Sequence, residues 1–71
     1  MLRKTFETEL QQVKDDVLML GSMAEQAILN AVEALKKRDI KASEKILEDD
    51  RAINRKRFDI ENQLMILIAT Q

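Results

Sequence analysis

The 71-residue chain contains no histidine, cysteine, proline, tryptophan or tyrosine, and only one glycine and two phenylalanines. Without histidine and cysteine it lacks a thiolate nucleophile, a Ser-His pair, the usual zinc ligands and a disulfide framework. A chain of this length also cannot bury the large core that most enzyme folds require. The composition therefore argues against a free-standing enzyme.

Long hydrophobic runs and an excess of one charge are absent as well. No apolar run reaches the roughly 18 residues that a transmembrane helix needs, and the charged, amphipathic N-terminal segment does not have the pattern of a signal peptide. The 12 basic and 13 acidic residues give a net charge of -1, which disfavours nucleic-acid binding through bulk charge. We predict a cytoplasmic chain without membrane insertion and without a nucleic-acid partner, although the basic second half leaves a local anionic partner open.

The residues that dominate the chain are good helix formers, and they follow a heptad pattern. In the first segment, apolar or small residues recur alternately four and three positions apart, which is typical of a stripe packed against another helix. This pattern predicts a helix over residues 2–37. Gly21 inside it either is merely tolerated or marks a place where a neighbouring helix passes close. The stripe consists of Leu2, Phe6, Leu10, Val13, Val17, Leu20, Ala24, Ala27, Ala31 and Ala34.

A very short turn at residues 38–39 separates this segment from a second predicted helix over residues 40–69. The basic run at 36–38 suits the negative end of a helix dipole, and Asp39 is a good N-cap for the helix that follows. A connection this short places two long helices antiparallel. The predicted fold class is therefore all-α, an antiparallel hairpin of two long helices. The stripe of the second helix consists of Ile46, Asp50, Ile53, Arg57, Ile60, Leu64 and Leu67.

The second helix is more apolar than one hairpin partner can cover. Residues 64–69 are apolar on every side, and such a helix must be enclosed by further elements. Either a third helix or further copies of the chain would supply this cover, and a hairpin whose cover comes from self-association would be a homo-oligomer. A second line of residues runs beside the predicted stripe at Leu47, Asn54, Phe58, Met65 and Ile68.

Polar side chains within the stripe form a candidate metal site. Asp50 and Asn54 are one helical turn apart, and Glu61 follows three turns after Asp50 on nearly the same face. Oxygen ligands at this spacing can bind a metal ion in a helical bundle. Water or a basic neighbour could instead satisfy Asp50, and an Arg57–Glu61 ion pair is the ordinary expectation at this spacing. A guanidinium there could repel a cation or attract an anion such as phosphate.

Four segments carry a resemblance to a known family. They are residues 2–6 (LRKTF), 19–21 (MLG), 31–35 (AVEAL) with 38–40 (RDI), and above all 46–54 (ILEDDRAIN). In this order and spacing they resemble the PhoU family, the accessory and regulatory proteins of bacterial and archaeal phosphate uptake.

The resemblance implies that residues 1–71 form part of a PhoU-like helical domain, about the first two helices of the first of two three-helix bundles. A third helix would be expected after Gln71. The family binds metal clusters through acidic residues spaced four apart, and Asp50 and Asn54 match one such pair. Asn54 supplies an amide instead of a carboxylate, and basic residues occupy positions 56–57. The resemblance implies a divalent or trivalent metal of the iron or zinc class in the full-length protein, held weakly or not at all by this segment. The predicted metal ligands are Asp50 and Asn54, which match the family's pair, and Glu61, which the helix spacing adds.

The function implied by this resemblance is non-enzymatic regulation of phosphate uptake and phosphate signalling. The partners would be the phosphate ABC transporter and its sensor histidine kinase. The periodicity alone supports equally well a self-associating structural helical-bundle module with no signalling role, and a phosphate transporter in the gene neighbourhood would favour the first function. A metallo-oxidoreductase of the four-helix carboxylate class is disfavoured because its Glu-x-x-His motifs need histidine.

Overall fold

The computed structural model describes residues 3–70, which form two long helices packed side by side. Helix α1 spans Arg3–Lys37 and helix α2 spans Ile40–Thr70. The two helices run antiparallel and contact each other along a body that measures 53 × 15 × 11 Å. This arrangement confirms the predicted all-α hairpin. The predicted start of the first helix at Leu2 lies outside the described residues.

Two residues connect the helices, and each has a defined role. Arg38 adopts a left-handed backbone conformation, with a φ of 52°. The N–H of Arg38 donates to the carbonyl oxygen of Leu35 at 3.2 Å, and the N–H of Asp39 donates to the carbonyl oxygen of Ala34 at 3.0 Å. These two hydrogen bonds form a Schellman motif. The Asp39 carboxylate then accepts the N–H of Ala42 at 3.2 Å, as an N-cap does. The predicted capping role of Asp39 is confirmed.

The seam between the helices changes character along its length. Near the open end of the hairpin, Val13, Ile60 and Leu67 are each only 5% exposed, and Phe6 and Leu20 pack against them. Toward the turn, alanines take most of the inner positions. The alanines that are buried or half-buried there are Ala24, Ala27, Ala31, Ala34, Ala42 and Ala52.

The predicted stripes are wrong at four positions: Leu64 is 36% exposed, and the other three are displaced by one residue. Val17, Asp50 and Arg57 are exposed, and the residue before each of them, Asp16, Asp49 and Lys56 respectively, is half-buried in the seam. A heptad leaves this choice open, because positions three and four after a seam residue both point toward the partner helix. An ion pair across the seam accompanies the observed choice, since Lys56 Nζ lies 3.9 Å from Asp16 Oδ1.

Neither helix within residues 3–70 contains a stretch that combines the length and the apolar character needed to cross a bilayer.

Candidate functional site

Asp50 and Asn54 lie together on the exposed side of α2. The Asn54 Nδ2 group donates to Asp50 Oδ2 at 3.4 Å, and both residues are exposed. The helix brings them together simply because residues four apart are one turn apart. The carboxylate of Asp50 and the amide oxygen of Asn54 are ligands of the kind that hard cations bind. This part of the candidate metal site is therefore compatible with the structure.

Glu61 lies away from Asp50 and Asn54 and pairs with another residue. Its Oε1 atom lies 3.4 Å from Arg57 Nη1, so the expected ion pair between these two residues is confirmed. Glu61 follows Asp50 by eleven residues, which corresponds to about 16 Å along the helix axis at ~1.5 Å per residue. One ion cannot contact both carboxylates of the same chain. Any metal site made by a single chain is thus limited to Asp50 and Asn54, and Glu61 could act only at a separate ion or beside another chain.

The side chains of residues 3–70 offer no cluster of three or more acidic, histidine or cysteine groups close enough to hold a metal ion. Two donors from Asp50 and Asn54 are fewer than the coordination number of an iron or zinc ion. The remaining ligands would have to come from water, phosphate or another chain. The metal assignment therefore stays a prediction that depends on this one pair.

Sequence reasoning missed a polar strip inside the seam. The Asp16 and Lys56 side chains are 19% and 25% exposed, respectively, and they connect α1 to α2. Farther toward the turn, Asp49 lies 3.7 Å from Lys45 and lines a groove with Asn30. The only signal in the sequence was that each charge directly precedes or follows a predicted seam residue. Because a half-buried charge needs its partner, we expect the strip to favour one register of the two helices.

The hairpin leaves an apolar face exposed along one edge. Leu35 and Ser43 line a common groove beside the turn, which shows that they share this edge. Residues at heptad spacing from them continue the same edge along each helix. We define the apolar face as Val17, Gly21, Ile28, Val32 and Leu35 of α1 with Ser43, Asp50, Arg57, Leu64 and Ile68 of α2. Its large apolar side chains are between 36% and 78% exposed.

Gly21 is the smallest residue of the apolar face. No atom lies within 4 Å of the position that a Cβ atom would occupy there. Helix α2 therefore does not pass close to Gly21. A close approach by the partner helix of the same hairpin is thus ruled out as the reason for this glycine. The backbone of α1 is open at this point of the face.

Comparison with known proteins places these features in a family. The PhoU domain family model matches residues 17–71. A relative from Clostridium acetobutylicum, named "Phosphate-specific transport system accessory protein PhoU homolog", is 41% identical over 71 residues, which is all of this chain and 32% of the relative. A protein of the same name from Aquifex aeolicus is 31% identical over 61 residues, or 86% of this chain and 28% of that protein.

The chain thus spans about a third of the length of the curated relatives that it matches. No solved structure was found to match it. The residues that match the family model include the turn, all of α2, and the candidate pair Asp50 and Asn54.

Proposed function

Because the chain belongs to the PhoU domain family, we propose that it acts in phosphate uptake as a non-enzymatic accessory and regulatory protein. The observation that carries this proposal is the 41% identity, across the whole chain, to a relative named as a phosphate transport accessory protein. A chain without histidine or cysteine has few groups for acid-base or nucleophilic catalysis. Its mode of action in this proposal is therefore binding.

The proposed partners are the phosphate ABC transporter and its sensor histidine kinase. In this mechanism a surface of the helical bundle binds its partner in one phosphate state and releases it in the other. The long, exposed and charged outer faces of both helices provide area for such contacts, with acidic and basic side chains interspersed. Charge complementarity would then set partner choice and the rate of association more than the affinity.

The cellular role can be tested by deleting the coding region in its host and measuring uptake of radiolabelled phosphate at several external concentrations. We expect the dependence of uptake on external phosphate to change, and the wild-type chain to restore it. The variant Ile60→Asp should fail, because it places a charge in the buried seam. The matched variant Asp59→Asn, one residue away on the exposed surface, should succeed. Uptake that is the same with and without the chain would contradict the proposal.

We further propose that Asp50 and Asn54 hold a divalent or trivalent metal ion of the iron or zinc class. Their oxygen atoms would contact the ion, and ligands from outside this chain would complete its coordination. When bound, the ion would supply a positive centre that attracts phosphate. Arg57, which is in the heptad position after Asp50, would add a second positive charge on the same face.

Metal content per chain of the full-length protein, measured by elemental analysis after purification without chelator, tests this assignment. Asp50→Ala should lower the metal content severalfold, since it removes the only carboxylate of the pair. Asp59→Ala removes a carboxylate from the opposite side of α2 and should leave the metal content unchanged. Equal metal content in wild type, Asp50→Ala and Asp59→Ala would show that the pair is not the site.

A purely structural, self-associating module is the second candidate, and the exposed apolar face favours it. A chain can both self-associate and regulate phosphate uptake. The two candidate functions therefore differ only in whether the chain has a role in phosphate uptake. A chain that associates but leaves phosphate uptake unchanged on deletion would be a structural module.

A further inference from the structure

The turn end of the hairpin concentrates positive charge. Residues 36–41 contain four basic residues and one acidic residue, which gives this segment a net charge of +3. The other 65 residues contain 8 basic and 12 acidic residues, a net charge of -4. The positive charge is therefore confined to one end of a body that is 53 Å long. We define the basic tip as its four exposed basic residues, Lys36, Lys37, Arg38 and Lys41.

The helix dipoles explain only half of the basic tip. Lys36 and Lys37 are in the last turn of α1, where the dipole favours positive charge. Lys41 is in the first turn of α2, where the dipole disfavours positive charge, and no acidic residue accompanies it in that turn. Arg38 has a φ of 52°, a conformation that glycine adopts without the cost of a Cβ atom. Arg38 and Lys41 thus break local rules of stability, which is typical of residues that serve binding.

Most of this positive charge is left without a counter-charge within residues 3–70. Lys37 Nζ lies 3.3 Å from Glu33 Oε1, and both side chains of this pair are exposed. The other three members of the basic tip form no ion pair among these residues. Asp39, the acidic residue between them, uses its carboxylate to accept the N–H of Ala42 as a helix cap. The basic tip is therefore open to an anionic partner.

An apolar side chain lies within the basic tip. Ile40 is 81% exposed, the highest value among the exposed large hydrophobic residues of the part of the chain that the structure describes. It precedes the half-buried Ala42 by two positions, which is about 200° around the helix, so it points away from the seam. Dissolved phosphate or a phosphate backbone offers nothing to an isoleucine. A lipid surface offers both anionic headgroups and hydrocarbon.

We infer that the basic tip binds end-on to an anionic phospholipid surface. The four basic side chains contact headgroup phosphates, and Ile40 enters the boundary between headgroups and acyl chains. An end-on contact leaves the long sides of the hairpin available to other helices. The inference therefore requires neither a second copy of the chain nor a chain that ends at residue 71. It also does not depend on the proposed role in phosphate uptake.

Vesicle flotation with the full-length protein that contains this segment tests the inference. The vesicles consist of phosphatidylcholine alone or of phosphatidylcholine with phosphatidylglycerol as the anionic lipid. We expect binding to the anionic vesicles at about 0.1 M salt and a severalfold loss of binding at about 0.5 M salt, because salt screens the attraction. Equally strong binding to phosphatidylcholine alone would contradict the proposed headgroup contacts.

Two variants with the same net charge separate the basic tip from the charge of the whole protein. The tip variant should lower the partition coefficient at least about tenfold, since one basic residue near an anionic surface contributes about fivefold. The control variant should stay within about threefold of wild type. The tip variant combines Lys36→Gln, Arg38→Gln and Lys41→Gln. The control variant removes three exposed charges elsewhere and combines Lys4→Gln, Lys14→Gln and Arg55→Gln.

The role of Ile40 has a separate test that leaves the charge unchanged. Ile40→Ser should lower the partition coefficient about threefold or more, because it removes the apolar side chain from the lipid boundary. Amide hydrogen exchange gives a local measurement in the same full-length protein. The N–H groups of residues 40–41, in the first turn of α2, have no partner within the helix. Their exchange should slow when anionic vesicles are added.

Equal losses in the tip and control variants would overturn the inference, because overall charge would then cause the binding. Failure of the wild type to bind anionic vesicles would overturn it as well, and an acidic protein surface would become the partner of the basic tip. The assay contains neither a transporter nor added phosphate. Its failure would therefore leave the proposed role in phosphate uptake standing, and failure of the uptake experiment would leave this inference standing.

Discussion

The two halves of the hairpin seam follow the same heptad pattern but pack by different means. In the open half, made of residues 3–20 and 53–70, large side chains such as Val13, Ile60 and Leu67 are buried. In the turn half, made of residues 21–52, alanines take most of the inner positions, and Ala34, at 9% exposure, is the one buried residue. A single periodicity thus builds a seam from large buried side chains at one end and mostly from alanines at the other.

This difference locates the stability of the hairpin. Full burial of a large aliphatic side chain contributes about 1.5–3 kcal/mol, and an alanine contributes much less because it has little apolar area. The turn half gains instead from the Schellman motif and the Asp39 cap, which satisfy backbone groups that the helix ends leave open. We therefore expect the two halves to respond differently to the same kind of substitution.

Truncation of a large side chain should produce the largest difference. Ile60→Ala should lower the free energy of unfolding by about 2–4 kcal/mol, as expected for a well-buried isoleucine. Ile46→Ala, the same change at a half-buried site in the turn half, should lower it by about half as much. Urea unfolding followed by circular dichroism at one chain concentration measures both values. An equal or larger loss at Ile46 would show that the turn half carries the stability.

Enlargement of an alanine tests close approach. Ala34→Leu should destabilise the hairpin by about 1–3 kcal/mol, because Ala34 is buried against α2 and a larger side chain would displace its neighbours. Ala69→Leu makes the same change at an exposed position near the end of α2 and should alter stability by less than about 0.5 kcal/mol. Stabilisation by Ala34→Leu in the same urea titration would mean that the turn half contains a void instead of a close contact.

The turn offers a smaller change of opposite sign. Arg38 has a φ of 52°, and the left-handed conformation costs a residue with a Cβ atom about 1–2 kcal/mol that glycine avoids. Arg38→Gly should therefore raise the free energy of unfolding by up to about 1 kcal/mol, less any loss of the charge near the end of α1. Lys41→Gly, inside the first turn of α2, should lower it by a similar amount. A thermal unfolding series that ranks Arg38→Gly below wild type would contradict the role assigned to this position.

The fold could be predicted because several independent signals agreed. Heptad spacing indicated two helices, the short basic-acidic connection indicated a hairpin, and Asp39 indicated where the second helix begins. The sequence did not indicate that Arg38 would take the left-handed position, which glycine occupies more often. Arg38 is the single residue between Lys37 and the Asp39 cap, so it must adopt the left-handed conformation that the connection requires.

The candidate site was less predictable, for a geometric reason. A heptad allows either of two adjacent positions to face the partner helix, and at 49–50 both are aspartate. The prediction placed Asp50 in the seam, whereas the structure places Asp49 there and leaves Asp50 beside Asn54 on the apolar face. The same one-residue choice at 56–57 put Lys56 within reach of Asp16 and left Arg57 with Glu61. Only the three-dimensional pairing across the seam selects between such neighbours.

The smallest expected effect concerns the ion pair between Asp16 and Lys56, which connects α1 to α2. Asp16 and Lys56 lie 3.9 Å apart and are mostly shielded, so their coupling in a double-mutant cycle should be about 0.5–1 kcal/mol. The cycle uses Asp16→Asn, Lys56→Gln and both together, and the coupling should persist at high salt because the pair is partly removed from solvent. Arg3 and Glu7, 3.1 Å apart but 91% and 60% exposed, form the matched control. Their coupling should be smaller and should fall as salt is added, since distance alone does not set the strength of an ion pair that water surrounds. If the control pair couples more strongly, the shielded pair does not hold the register of the seam, and the large side chains of the open half do so alone.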